Sequence, residues 1–160
     1  MTKFVTPAMT GPRVDEVAHA SISRILVVDD ESAICSLIRD VLVHSGYQVD
    51  TAKDGAAAWE ALRRKQYDLL ITDNQMPKIT GLELVRYLRS ASLAIPVILI
   101  SGYLPKQAKA LTASLRITAT LTKPFGVLEL LKTVKKALGV DKHLTKRARH
   151  GCEPKRQRLT

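Results

Sequence analysis

The chain has 160 residues, 46% of them hydrophobic and 25% charged, and 25 Lys and Arg against 15 Asp and Glu give a formal charge of +10. That length suits one domain, and that composition excludes a chain that is disordered throughout. The first twenty residues lack the apolar centre of a secretory signal, and no apolar run approaches the roughly eighteen residues of a membrane span, so a cytoplasmic protein is the expectation.

Cys35 falls in a helical pattern and Cys152 in a polar stretch, with no CxxC and no Cys/His zinc spacing, which argues against a disulfide framework or a structural zinc. The charge is unevenly spread. Residues 1–23 carry two basic and two acidic side chains, residues 24–140 sixteen and eleven, and residues 141–160 seven and two. Residues 1–23 mix Pro, Gly, Thr and Ala without a period and are expected to be a flexible extension; residues 24–140 are expected to fold; residues 141–160 read as a basic, disordered tail.

Within the folded region, Ile25 to Val28 is a short apolar, β-branched run that stops at Asp29 and Asp30, as a strand buried on both faces would. Ile34, Leu37, Ile38, Val41 and Leu42 then recur at helical spacing, with Gly46 as the stop signal. The alternation repeats. Tyr47–Ala52 reads as a second strand, and Asp54 is an N-cap candidate for a helix over Gly55–Gln66. Leu69–Thr72 is a third strand ending at Asp73, followed by a loop with Pro77 and Gly81 and a helix over Leu82–Ser90. Pro96–Ile100 is a fourth strand ending at Ser101 and Gly102, with a helix after Pro105. Thr118–Thr122 is a fifth strand ending at Lys123 and Pro124, and the last helix runs from about Gly126 to Leu138. Five strand–helix units with short loops predict an α/β fold, a doubly wound five-stranded parallel sheet.

In such sheets ligands bind beyond the carboxyl ends of the strands, which makes Asp29, Asp30, Asp73, Ser101 and Lys123 the candidate site. Crowded carboxylates repel, and a divalent cation relieves the repulsion. Hard Mg²⁺ suits an all-oxygen set and commonly bridges carboxylates to phosphate oxygens. Three ionised Asp are then balanced by Mg²⁺ and Lys123, with Lys123 as a point charge and Ser101 as a donor for a phosphoryl group.

These residues carry a resemblance. Asp29 and Asp30 after the first strand, Asp73 with Met76, Pro77 and Gly81 in DNQMPKITG, Ser101 and Gly102, and Lys123, Pro124 and Phe125 together resemble a response-regulator receiver domain over residues 24–140. The resemblance implies the flavodoxin-like (βα)5 arrangement of that family, of a stand-alone type. It implies that Asp73 takes a phosphoryl group from a histidine kinase or a histidine phosphotransfer protein. Asp29, Asp30, Asp73 and the backbone carbonyl of Gln75 would hold Mg²⁺, Ser101 would be the switch hydroxyl, and Lys123, ahead of a cis bond to Pro124, would pair with the phosphate. The chain would catalyse no reaction beyond its own phosphorylation and dephosphorylation, signalling to an unknown protein target.

Gln75 and Tyr103 stand where the family sets phosphoaspartate lifetime. Two positions depart from the pattern. Thr120 occupies the usual site of a switch aromatic, and Arg116 stands where glycine is common. A second reading makes the chain a phosphorylation-regulated binder of nucleic acid or an anionic surface through Lys146, Arg147, Arg149, Lys155, Arg156 and Arg158. A third, a Mg²⁺-dependent phosphatase, is disfavoured because no second Asp lies two residues after Asp73. Dinucleotide and P-loop nucleotide binding are disfavoured because neither GxGxxG nor GxxxxGK[ST] is present.

Overall fold

The computed structural model describes residues 22–102 and 106–139. The chain order is β1 (Arg24–Val28), α1 (Ser32–His44), β2 (Gln48–Ala52), α2 (Gly55–Arg64), β3 (Leu69–Asp73), α3 (Gly81–Ser90), β4 (Val97–Ser101), α4 (Lys106–Ser114), β5 (Ala119–Thr122) and α5 (Val127–Ala137). All strand pairs are parallel, in the order β2-β1-β3-β4-β5. The expected strands and helices are all present, with ends displaced by a residue or two. Tyr103, the N-terminal extension and the basic tail lie outside the described residues. None of the helices described is long and apolar enough to cross a membrane.

The central strands have no polar face. β3 and β4 are buried at every position, and Ile25 to Val28 of β1 likewise; the apolar runs Leu69 to Ile71, Val97 to Ile100 and Ile25 to Val28 fill both faces, and buried Thr72, Asp73 and Ser101 close β3 and β4. Alternate side chains feed two apolar layers. Ile25, Val27, Ile71 and Ile98 pack against Cys35, Ile38 and Leu42 of α1 and Leu130 and Val134 of α5. Leu26, Val28, Leu70 and Val97 pack against Ala58 and Leu62 of α2 and Leu84, Val85 and Leu88 of α3. Each fully buried aliphatic side chain contributes about 1.5–3 kcal/mol relative to an exposed one.

Local signals fix the ends of the helices. Asp54 caps α2 by accepting the Ala57 N–H at 2.7 Å. Thr80 and Glu83 form a reciprocal capping box on α3, with the Glu83 N–H donating to Thr80 Oγ1 at 3.2 Å and the Thr80 N–H to Glu83 Oε2 at 2.8 Å. After α1 the chain reverses through Gly46 at φ 90°, while the Tyr47 N–H reaches back to the Leu42 carbonyl at 3.1 Å. Among the described residues three others take positive φ without being glycine: Lys78, Ser92 and Arg116, at 68°, 60° and 51°.

Candidate functional site

Parallel register delivers the polar residues to one edge. Val28 lies opposite Thr72 and Asp73 opposite Ile100, so Asp29 and Asp73 leave neighbouring strands side by side. Ser101 lies opposite Thr122, which brings Lys123 out one position further on. The ladder continues past the strand ends. The Asp29 N–H donates to the Ala52 carbonyl at 3.3 Å, the Asn74 N–H to Ile100 at 2.8 Å, and the Lys123 N–H to Ser101 at 3.0 Å. The site is therefore built on strand ends rather than on free loops.

Lys123 Nζ sits 2.8 Å from Asp73 Oδ1 and 3.3 Å from Asp29 Oδ2. The other oxygens are taken by backbone donors: Asp29 Oδ1 accepts the Glu31 N–H at 2.9 Å, and Asp73 Oδ2 accepts the Gln75 N–H. Asp29, Asp73 and Ser101 are buried, at 2%, 3% and 0% exposure, and Thr72 is buried beside Asp73. Ser101 closes β4 in the same buried layer. Burial pushes the Asp29 carboxyl above its ordinary pKa; the Glu31 N–H and the Lys123 charge oppose this, and the Asp73 charge adds to it. For Lys123, burial alone would lower the pKa, but the hydrogen bond and charge of Asp73, then those of Asp29, reverse the sign and hold the ammonium above its usual value.

The remaining candidates fall around this centre. Asp30 follows Asp29 and is exposed, and among the described residues it forms no ion pair. Gln75 is exposed, and its Oε1 lies 3.9 Å from the place a Cβ on Gly102 would occupy, so its amide reaches across the site mouth. Thr120 is exposed on β5, beside buried Leu121. Lys123–Pro124 is cis. Glu31, which sequence reasoning passed over, places Oε1 3.9 Å from Lys123 Nζ; its only signal was a third acid in the run Asp29, Asp30, Glu31.

Gly81 explains the spacing of the DNQMPKITG segment. A Cβ there would stand 2.3 Å from the Asp73 carbonyl oxygen and 3.1 Å from Asn74 Cα. Only glycine lets the start of α3 lie against the peptide that carries Asp73. The Gly81 N–H completes the contact by donating to the Asn74 carbonyl at 3.2 Å.

Among the described residues no three His, Cys, Asp or Glu side chains form a ready-made metal cage. The donor chemistry nevertheless fits Mg²⁺. When both buried carboxylates are ionised, one lysine offsets only one of them, and the oxygens present are hard. Mg²⁺ commonly takes one or two carboxylates and keeps several waters, so a full protein cage is not required. Beside the site, an apolar groove of about 290 Å³ runs between α1 and the segment after β5. Leu37, Val41, Phe125 and Val127 line it, and Lys123 forms part of its wall.

The sequence model of the response regulator receiver domain matches residues 25–135. The chain is 36% identical over 115 residues to the alkaline phosphatase synthesis transcriptional regulatory protein PhoP of Bacillus subtilis, covering 72% of this chain and 48% of that protein. To the response regulator MprA of Mycobacterium leprae it is 34% identical over 115 residues, covering 72% and 50%. The chain thus spans about half the length of the curated relatives it matches. Among solved structures, chemotaxis protein CheY4 of Vibrio cholerae superposes with a TM-score of 0.70 at 30% identity, covering 73% of this chain and 99% of that one. Response regulator TrrA of Thermotoga maritima, solved in complex with Mg²⁺ and beryllium fluoride, gives 0.66 at 34% identity, covering 72% and 99%.

Proposed function

Because the chain belongs to the response-regulator receiver family, we propose that Asp73 is its phosphoacceptor and that a phosphohistidine on a histidine kinase or phosphotransfer protein is the donor. One observation carries the reading: a buried carboxylate ends a central strand, hydrogen-bonded on one oxygen to a backbone N–H and on the other to Lys123 at 2.8 Å. An Asp73 oxygen attacks phosphorus, an O–P bond forms as the donor N–P bond breaks, and the imidazole leaves with the electron pair. Lys123 exchanges its contact with the carboxylate for one with a phosphoryl oxygen, so its charge follows the charge being moved. The Gln75 N–H keeps the carboxylate oriented meanwhile.

Asp29, Asp30, Asp73 and the Gln75 carbonyl would hold Mg²⁺, which when bound neutralises phosphoryl charge. TrrA, in its complex with Mg²⁺ and beryllium fluoride, supports carrying this cofactor to the present chain. Ser101 supplies the hydroxyl for a second phosphoryl oxygen. Thr120, small and exposed, puts no ring on β5 to move with it. Gln75 and Tyr103 stand at the two sequence positions that would set how fast the phosphoaspartate hydrolyses. The groove between α1 and Phe125 abuts Lys123 and suits an apolar face of the phosphodonor. Output runs through protein contacts to a downstream target.

Incubation of the full chain with Mg²⁺ and acetyl phosphate tests this. Intact mass should show one phosphoryl group, labile in base and stable in acid, lost with EDTA and absent from Asp73→Asn. Labelling that survives in Asp73→Asn refutes the assignment.

A further inference from the structure

At the opposite end of the sheet from Asp73, where β4 and β5 begin, the fold brings Arg89 and Arg116 to one cavity, and among the described residues neither has a carboxylate partner. A cavity of about 340 Å³ lies there, with Arg89, Ser92, Pro96, Arg116 and Thr118 in its wall and no Asp or Glu among its lining residues. Arg89 is bonded to carbonyls alone. Its Nε donates to Leu115 at 2.8 Å, its Nη1 to Leu93 at 2.6 Å, and its Nη2 to Ile95 and Arg116 at 3.2 Å each. Those dipoles disperse its charge without neutralising it. Among the described residues neither Arg89 nor Arg116 forms an ion pair. Burial and then the positive charge of Arg116 hold the Arg89 guanidinium below its ordinary pKa.

Arg116 adds a second anomaly. Its φ of 51° suits glycine and costs a residue with a side chain, yet a long cation stands there. Like charges facing one cavity without an opposite charge repel, as two carboxylates do, and an ion of the other sign relieves the repulsion. Hydroxyls are at hand as well. Thr118 Oγ1 accepts the Val97 N–H at 3.2 Å and keeps its own proton for donation, and the Ser92 hydroxyl belongs to the same wall.

We infer that this cavity binds a phosphate-bearing anion, with Arg116 as its principal cationic contact, Arg89 as a fixed charge behind it, and Ser92 and Thr118 as hydroxyl donors. A tetrahedral, multiply charged phosphate uses donors arriving from several directions better than a planar carboxylate does. The site is separate from the phosphoacceptor, since the five residues of β4 span roughly 15 Å of strand between them.

Amide NMR titration of the full chain carrying Asp73→Asn, without Mg²⁺ and at constant ionic strength, tests the inference independently of phosphorylation. Inorganic phosphate, glycerol phosphate and citrate are the probes. Saturable shifts concentrated in residues 92–97 and 116–118 are expected with phosphate. Arg116→Gly suits the left-handed backbone and so keeps the fold, and it should weaken binding about tenfold, the loss of one charge-assisted contact. Arg86→Ala, an exposed arginine outside the cavity wall, should bind as the parent does. Saturation by both phosphates assigns the phosphoryl group in general, and saturation by inorganic phosphate alone assigns the free ion; either supports the site. Shifts that grow without saturating, that persist unchanged in Arg116→Gly, or that citrate produces at least as strongly overturn it.

Discussion

Replacing Gly81 by alanine puts a methyl group where α3 meets the phosphoacceptor peptide. The added Cβ would lie 2.3 Å from the Asp73 carbonyl oxygen, about 1 Å inside ordinary van der Waals contact. Neither side yields easily. The capping box of Thr80 and Glu83 and the fully buried Leu84, Val85 and Leu88 hold α3, while Asp73 ends a strand paired on both sides. Overpacking of this kind costs about 1–3 kcal/mol, and alanine's higher helix propensity returns up to about 1 kcal/mol. The expected net loss is about 1–2 kcal/mol, seen as a lower urea midpoint at unchanged slope. If the Asp73 peptide gives way by about 1 Å, phosphorylation from acetyl phosphate slows by about 10²-fold. Gly102→Ala is the comparison, because among the described residues its Cβ would meet nothing nearer than Gln75 Oε1 at 3.9 Å. It should change stability by less than about 0.5 kcal/mol and leave the rate near that of the parent. A Gly81→Ala protein with parental midpoint and rate, or a Gly102→Ala protein equally impaired, refutes the packing argument.

Arg89→Lys keeps a charge but loses the planar fork that ties four carbonyls from the α3–β4 and α4–β5 turns, and should cost about 2 kcal/mol in urea unfolding. Tyr67→Phe removes a 2.9 Å donor to Asp50 and should cost about 1 kcal/mol at neutral pH. Burial, then the hydrogen bond and charge of Asp50, push the Tyr67 hydroxyl up to about 12, so its contribution is full below the ordinary value of 10.0 and is lost as pH rises toward 12. Burial would raise the Asp50 carboxyl, but Tyr67 and Lys65 bring it below its ordinary 3.8, so its contribution is present above that value and is lost as pH falls through the lower folded one. Stability profiles of Tyr67→Phe should therefore be flatter than the parent's between pH 10 and 12 and less steep on the acid side.

What was readable in the residues was whatever repeats or punctuates. The apolar run Ile25 to Val28 announced a strand covered on both faces, and Asp29, Asp73, Ser101 and Lys123, each at the end of a strand, announced one edge of the sheet. The DNQMPKITG segment read as a loop with Pro77 and Gly81 and as part of the resemblance, while the close approach that requires Gly81 left no sign of its own. Contacts that leave no pattern stayed hidden. Arg89 reads as an exposed helical arginine because its partners are backbone carbonyls, which every residue possesses. The bond from Tyr67, in the loop between α2 and β3, to Asp50 on β2 joins residues seventeen apart with no period to connect them. The positive φ of Lys78 and Ser92 was invisible because the usual mark of such a turn, glycine or asparagine, is missing at each, whereas Arg116 was marked only by standing where glycine is common.

The sheet divides the interior into two apolar compartments that, among the described residues, share no side chain, since Ile25 and Val27 belong to one and Leu26 and Val28 to the other. Substitutions on opposite sides communicate only through main chain, and their effects should sum. Such a molecule is modular within a single domain: the face bearing α1 and α5 and the face bearing α2 and α3 are free to diversify toward different partners, neither forcing the other to repack.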